Sequence, residues 1–440
     1  MNNTSQRISL SDIGFGLIIV SYFLLVFSSP MPIKIGVLEI VMGIGLTMGA
    51  SLLILSLIAR KNTDIILPIL CIAYFLMAPL LMGVVRGNDF ADMARDVAPL
   101  MFMAALPLLI TSLPQDKYAI YRLRVMLFAI LAVGLVSALQ FHHGIIKLFG
   151  SMETYIARTG PIPVMPLKEP NVLIDQTWSV SGLENIDYPS LMLKCQDPAI
   201  LFTAIYLLCV GISHVLVKPR RLLYGIFALG GGAFCVYEFA ALGLRAFCGL
   251  TALTLIIYAV YLIRSRKVSL ANLMAAGVVG LLFTYSQIVN FATQMWAKQQ
   301  AVGLSGRPGE LYSAFGTISE NVATLLFGVG WGGLLSNPIY DAATTRYTHS
   351  LFSYWLLKTG IVGLAALVLF VSLLIRRVDL KYVWKSSHRL AVFLAASAVI
   401  IIGLFFEPTY KMLSYGLIVG LLLAEYAKPL ASKQEPNTIF

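Results

Sequence analysis

The chain has 440 residues, 58% of them apolar and only 12% charged, with a mean hydropathy of +0.83 and a formal charge of +11. An ordinary soluble domain carries about a quarter charged residues, so the composition excludes a water-soluble globular fold. The positive charge does not point to nucleic acid, because the basic residues stand in small groups between apolar runs, as cytoplasmic loops of membrane proteins do.

Runs of about 20 apolar residues recur along the chain, long enough to cross a hydrocarbon core about 30 Å thick as helices. They lack the short alternation of a membrane barrel, and a helix satisfies its own backbone in lipid. The chain therefore reads as an all-α polytopic membrane protein, with residues 1–440 forming one integral membrane domain. The spans fall at 13–30, 36–58, 65–84, 97–113, 125–146, 198–216, 222–243, 246–263, 270–290, 350–375, 390–406 and 410–427. Twelve crossings return both termini to one side. The first run ends in "SSPMPIK", without a small-residue cleavage site, and reads as a retained helix. The five cysteines show no metal spacing, and four lie in apolar runs as packing residues.

Arg60 and Lys61 follow the second span; Lys117, Arg122 and Arg124 follow the fourth; Lys218, Arg220 and Arg221 follow the sixth. Arg264, Arg266 and Lys267 follow the eighth, and Arg376, Arg377, Lys381, Lys385 and Arg389 follow the tenth. Every group comes after an even-numbered span, so the positive-inside tendency puts these loops and both termini in the cytoplasm.

Two long polar segments, 147–197 and 291–349, are left for the outer face. The first holds Pro161, Pro163, Pro166 and Pro170, which disfavour regular helix. The second contains "VATLLFGVGWGGLL", too short and glycine-rich for a crossing but suited to an interfacial or re-entrant piece. Its Gly328, Gly330 and Gly333 match G-x-G-x-x-G, yet the soluble βαβ context of a dinucleotide site is missing. Tight turns folding the loop back on the bundle are the better reading.

With the cytoplasmic charges set aside, the topology brings Arg245, Arg307 and His349 to the same outer interface. Guanidinium forks suit phosphate oxygens, and a histidine can take a proton from a hydroxyl. Plainer roles stand beside these. Arg245 could snorkel to headgroups or pair with Glu238; Arg307 could pair with Glu310 in a solvated loop; His349 could simply cap its helix. Glu238, Glu320, Glu407 and Tyr410 are further candidates for substrate contact, with Lys411 next to Tyr410. Glu39 is an intramembrane acid without other marks around it. Arg86, Asp89, Asp92, Arg95 and Asp96 read as a solvated outer hairpin.

Three stretches resemble the O-antigen ligase and polymerase family of bacterial envelopes. "LSGRPGELYSAFGTISENVATLLFGVGWGG" looks like the family's arginine-containing loop, and "YTHSLFSYWLLKTGIVGL" like its histidine-led segment and following helix. "LGLRAFCGL" matches an arginine in the third. The chain departs from the pattern at Lys358, where an acid is usual, at Ser350, where Asn is usual, and at Leu244 and Ala246 around Arg245. The resemblance implies a glycosyltransferase of the lipid-linked-sugar type in the bacterial inner membrane, with its active site on the periplasmic face. The donor would be an undecaprenyl-diphosphate-linked oligosaccharide. Arg245 and Arg307 would hold the diphosphate, and His349 would activate the acceptor hydroxyl in an inverting transfer without metal or cofactor.

A polymerase would extend another lipid-linked repeat unit of O-antigen or exopolysaccharide; a ligase would deliver the glycan to the lipid A core of lipopolysaccharide. The 147–197 loop, with Arg158, Lys168 and Lys194 beside Asp175, Glu184 and Asp187, could gate a second substrate. A flippase or exporter of lipid-linked sugar is the alternative from another class. Expected partners are the donor, the acceptor glycan, membrane lipids, and a chain-length regulator or other envelope assembly protein, with no nucleic acid.

Overall fold

The computed structural model describes residues 9–28, 36–59, 66–113, 118–159, 188–217, 219–272, 307–337 and 343–427, with scattered positions from 274 to 300. Ten stretches among the described residues are long and apolar enough to cross a membrane. The protein is a mostly helical, multi-pass membrane protein.

The helices in chain order are α1 (Leu10–Leu24), α2 (Val37–Ala59), α3 (Ile66–Val85) and α4 (Phe90–Leu100). A π turn, Met101–Ala105, joins α4 to α5 (Leu106–Thr111), so this span begins earlier than expected. The next two are α6 (Ala119–Phe149) and α7 (Met152–Thr159). Then come α8 (Tyr188–Cys195), α9 (Pro198–Val217), α10 (Leu222–Ala241) and α11 (Arg245–Arg264). After these stand α12 (Arg307–Ile318), α13 (Val322–Phe327), a hairpin of β1 (Leu335–Asn337) and β2 (Ala343–Thr345), and α14 (Leu351–Ile375). The chain closes with α15 (Ser387–Phe405), a 3-10 turn Pro408–Lys411, and α16 (Leu413–Glu425).

Two expectations need correction. Arg122 and Arg124 lie inside α6, which starts before them, and the last span is a helix of only 13 residues. The described part of the second outer segment carries two helices and a hairpin. The span read at 270–290 and the proline-rich 160–187 lie mostly outside the described residues.

Side chains such as Val20, Ile58, Leu81, Phe128 and Leu253 point outward and are exposed. In water this would be unfavourable; against lipid tails it is the expected surface. Helices meet where small residues let backbones approach. A Cβ on Gly14 of α1 would come within 2.8 Å of the Gly49 carbonyl of α2, and one on Gly416 within 1.9 Å of the Phe102 carbonyl.

Polar contacts sort the helix ends into two sets. At one end Arg122 of α6 pairs with Asp12 of α1 at 2.7 Å, and Ser213 of α9 donates to Ser387 of α15 at 3.3 Å. There too Tyr261 of α11 donates to the Trp384 carbonyl, and Arg389 pairs with Glu425. At the opposite end Tyr22 of α1 donates to Ser414 of α16, and His142 of α6 meets Glu238 of α10 at 2.8 Å. The described basic groups, from Arg122 through Arg264 to Arg389, gather at the first end, called the basic end here. Tyr261 stands at the basic end and Glu310 at the other, so the chain changes ends between them.

Candidate functional site

The site is built around a break in α14. Gly360 has φ 65° and ψ −165°, so the helical ladder stops inside an apolar run. The carbonyls of Leu357 and Lys358 are instead met by the N–H groups of Val329 and Gly330 at 2.9 and 3.1 Å. This fit requires bare backbone on both sides. A Cβ on Gly360 would lie 2.5 Å from the Gly328 nitrogen, and one on Gly328 would lie 2.4 Å from the Lys358 carbonyl carbon. Gly328, Gly330 and Gly332 have φ of 75°, 79° and 76°, a conformation open mainly to glycine. The "GVGWGG" stretch thus makes tight turns against the bundle, with Gly332 rather than Gly333 as the third left-handed residue. Asn88 donates to the carbonyls of Val329 and Trp331, and Trp331 N–H donates to the Pro79 carbonyl at 2.9 Å. Irregular backbone beside lipid is tolerated only when protein satisfies it in this way.

A buried ion pair locks the same loop from below. The Lys358 ammonium sits 2.5 Å from Asp96 Oδ2 and donates to the Gly333 carbonyl at 2.7 Å. Asp96 also accepts the Gly332 N–H at 2.8 Å. Both side chains are almost fully buried, 0% and 4% exposed, so each charge is affordable only because the other is there. This overturns the solvated-hairpin reading for Asp96. Asp92 likewise pairs with Arg346 at 2.8 Å, whereas Arg86, Asp89 and Arg95 are exposed.

Above this pair lies His349. Ser350 is the N-cap of α14, accepting the Ser353 N–H, so the capping role expected of His349 belongs to its neighbour. His349 contacts Glu310 of α12 instead. Glu310 Oε2 accepts the His349 backbone N–H at 2.8 Å, and Oε1 faces ring Nδ1 at 3.2 Å. The carboxylate is 1% exposed and the imidazole 15%. With Glu310 accepting from Nδ1–H, Nε2 carries the lone pair and is placed to take a proton. Glu310 is thus buried rather than solvated, and it orients the histidine.

The 3-10 turn before α16 closes the site. Tyr410 is fully buried and donates to the Thr348 carbonyl at 2.9 Å, fixing the turn to the His349 segment. Burial pushes its phenol well above the ordinary range, so it stays a neutral donor. Next to it, half-buried Lys411 holds its ammonium over the rings of Tyr347 and Tyr354, 4.3 and 4.9 Å from their centroids. Burial lowers its pKa to about 7, against the pull of Asp96 and Glu310 and aided by the repulsion of Lys358 and Arg346.

The remaining expected residues sit on several elements. Arg245 is half-buried as the first residue of α11. Arg307 opens α12, three residues before Glu310, and its side chain lies outside the described residues. Glu238 is buried and taken by His142, with Oε2 lacking a hydrogen-bond partner among the described residues. This makes it a bundle contact rather than the partner of Arg245. Glu320 is exposed in the α12–α13 turn, and half-buried Glu407 precedes the 3-10 turn. In the first outer segment Lys194 donates to Gln140 and to the Val26 carbonyl, which ties α8 to the bundle. Arg158's side chain, Lys168, Asp175, Glu184 and Asp187 lie outside the described residues. Sequence reasoning missed Glu310, Asp96 and Lys411 as site members. Their one visible signal was charge at or beside an apolar run, which demands a partner.

Among the described residues no three His, Cys, Asp or Glu side chains are grouped to hold a metal ion. Compared with protein-family models, curated proteins and solved structures, the chain matches none.

Proposed function

We propose that the chain is a polysaccharide polymerase of the bacterial inner membrane. It transfers an undecaprenyl-diphosphate-linked glycan onto a sugar hydroxyl of another lipid-linked repeat unit. The observation that carries this reading is the His349–Glu310 pair, a histidine oriented by a buried carboxylate at a helix start outside the spans. The charge of Lys411 is felt at Glu310, and the pair lies at the end opposite the basic loops, which the positive-inside tendency assigns to the cytoplasm. The twelve-span topology with both termini cytoplasmic and a periplasmic site belongs to the same proposal.

In the reaction the acceptor oxygen attacks the anomeric carbon from the side opposite the diphosphate. Its proton passes to His349 Nε2 as the new C–O bond forms, and the Glu310 carboxylate stabilises the imidazolium. The bond to the diphosphate oxygen breaks, and undecaprenyl diphosphate leaves with the electron pair. Arg245 and Arg307 are assigned to the diphosphate, where fixed positive charge offsets the charge developing on the leaving group.

The test is incubation of the purified protein with a defined diphosphate-linked repeat. Longer chains with release of undecaprenyl diphosphate support polymerisation. Transfer only when lipid A core is added makes the protein a ligase. Unchanged lipid-linked units moved across liposomes make it a transporter.

A further inference from the structure

We propose that Lys411 is an anion receptor of this site, gripping a phosphate or diphosphate group beside His349. Its assignment to the donor rests on the transferase reading above; the anion site itself does not. Each other described cation around the loop already has a carboxylate: Lys358 has Asp96, Arg346 has Asp92 and His349 has Glu310. Among the described residues Lys411 has no carboxylate within ion-pair distance and rests on two tyrosine faces instead. Ring faces attract an ammonium weakly compared with an anion, so the cation is held in place yet left uncompensated.

Its position is fixed rather than wandering. Tyr410, the preceding residue, is bolted to the Thr348 carbonyl, and the Tyr347 ring that carries the ammonium, 4.3 Å from its centroid, also packs beside the His349 ring at 6.3 Å. A phosphate-bearing group at Lys411 would therefore bring its attached sugar to the histidine. A lysine is suited to this role as a compact point charge with three donors. The groups facing it are Asp96, Glu310, Arg346, Lys358, Tyr347 and Tyr354, with Tyr410 and Glu407 on its own turn. Burial lowers its pKa to about 7, so Lys411 takes up a proton when an anion arrives.

The experiment titrates inorganic pyrophosphate into the full-length protein in phosphatidylcholine nanodiscs. Calorimetry at about pH 8, in two buffers of different ionisation enthalpy, reads affinity and proton uptake together. Wild type is expected to bind with proton uptake. Lys411→Gln should weaken binding about 10- to 100-fold, the range of a charge-assisted hydrogen bond. Lys411→Arg should keep the affinity and lose the proton uptake, because arginine is always charged.

Unchanged binding by a folded Lys411→Gln protein overturns the proposal. Should that variant fail to fold, undiminished proton uptake by Lys411→Arg overturns it instead. Farnesyl diphosphate binding more tightly than pyrophosphate assigns the site to a polyprenyl diphosphate. Displacement of pyrophosphate by phosphatidylglycerol in the nanodisc overturns that occupant in favour of a headgroup. Lys411-dependent pyrophosphate binding without any glycan transfer keeps the anion site and removes the transferase reading. Transfer with pyrophosphate binding that ignores Lys411 does the reverse.

Discussion

The two ends of the bundle use charge in different ways. At the basic end Arg122–Asp12 and Arg389–Glu425 join helix ends, and Asp12 keeps 29% of its side chain exposed. At the His349 end Lys358 and Asp96 are sealed inside and also hold the backbone of a loop. The first kind of pair pins helices that would be placed by packing anyway. The second supports a structure that would not exist without it: a broken helix, a glycine-rich plug and a histidine with a fixed ring.

Removing one partner at each end should expose this contrast most strongly. Lys358→Met leaves the Asp96 carboxylate buried alone and should cost about 3–5 kcal/mol of stability. Asp12→Asn at the basic end, whose carboxylate is partly exposed although Arg122 is buried, should cost less, about 1–2 kcal/mol. The midpoints of denaturant unfolding in micelles compare the two, and equal losses would erase the distinction. Combining Asp96→Asn with Lys358→Met should recover most of the first loss, because no unpaired charge remains.

Backbone substitutions sharpen the same point. Gly360→Ala forces a Cβ into the Gly328 backbone at a positive φ and should cost at least about 2 kcal/mol. Gly43→Ala in α2, where nothing lies within 4 Å, should stabilise by about 0.5–1 kcal/mol. Thermal unfolding of both variants reads the difference.

Turnover supplies the next contrast. Glu310→Gln keeps the shape of the side chain but removes the charge that stabilises the imidazolium, and should slow transfer about 10- to 100-fold with little change in unfolding. Glu425→Gln, at the basic end, should leave turnover unaltered. The pH dependence of stability turns on Lys411. Between about pH 7 and 10.5 the unfolded chain holds a proton that the folded one has given up, so the penalty for burying this lysine is full below pH 7 and fades as pH rises. Lys411→Met should therefore raise the unfolding midpoint more at about pH 6 than at about pH 9.

The membrane character and the gathering of basic groups at one end were legible in the sequence, because run length and charge placement are local signals. So was the turn-forming role of Gly328 and Gly330. The pairings were not. Glu310 and His349 are 39 residues apart, and Asp96 and Lys358 are 262 apart. Nothing in the period of either segment announces its partner. Lys358 did carry a hint, since a lysine within an apolar run must find a counter-charge, but the hint names no residue. Ser350 concealed the role of His349 for a related reason: either can stand at a helix start, and only the path of α12 shows which one is released from capping. Tyr410 was legible as a site neighbour, and its hydroxyl anchors the Thr348 carbonyl.

The central claim is that His349, aimed by Glu310, accepts the proton of the attacking hydroxyl. Its most direct test is chain extension by purified His349→Ala protein in nanodiscs, using a defined diphosphate-linked repeat. The account predicts wild-type folding and pyrophosphate binding, with extension lowered by about 10²- to 10⁴-fold, the usual contribution of a general base. Extension at the wild-type rate would contradict it.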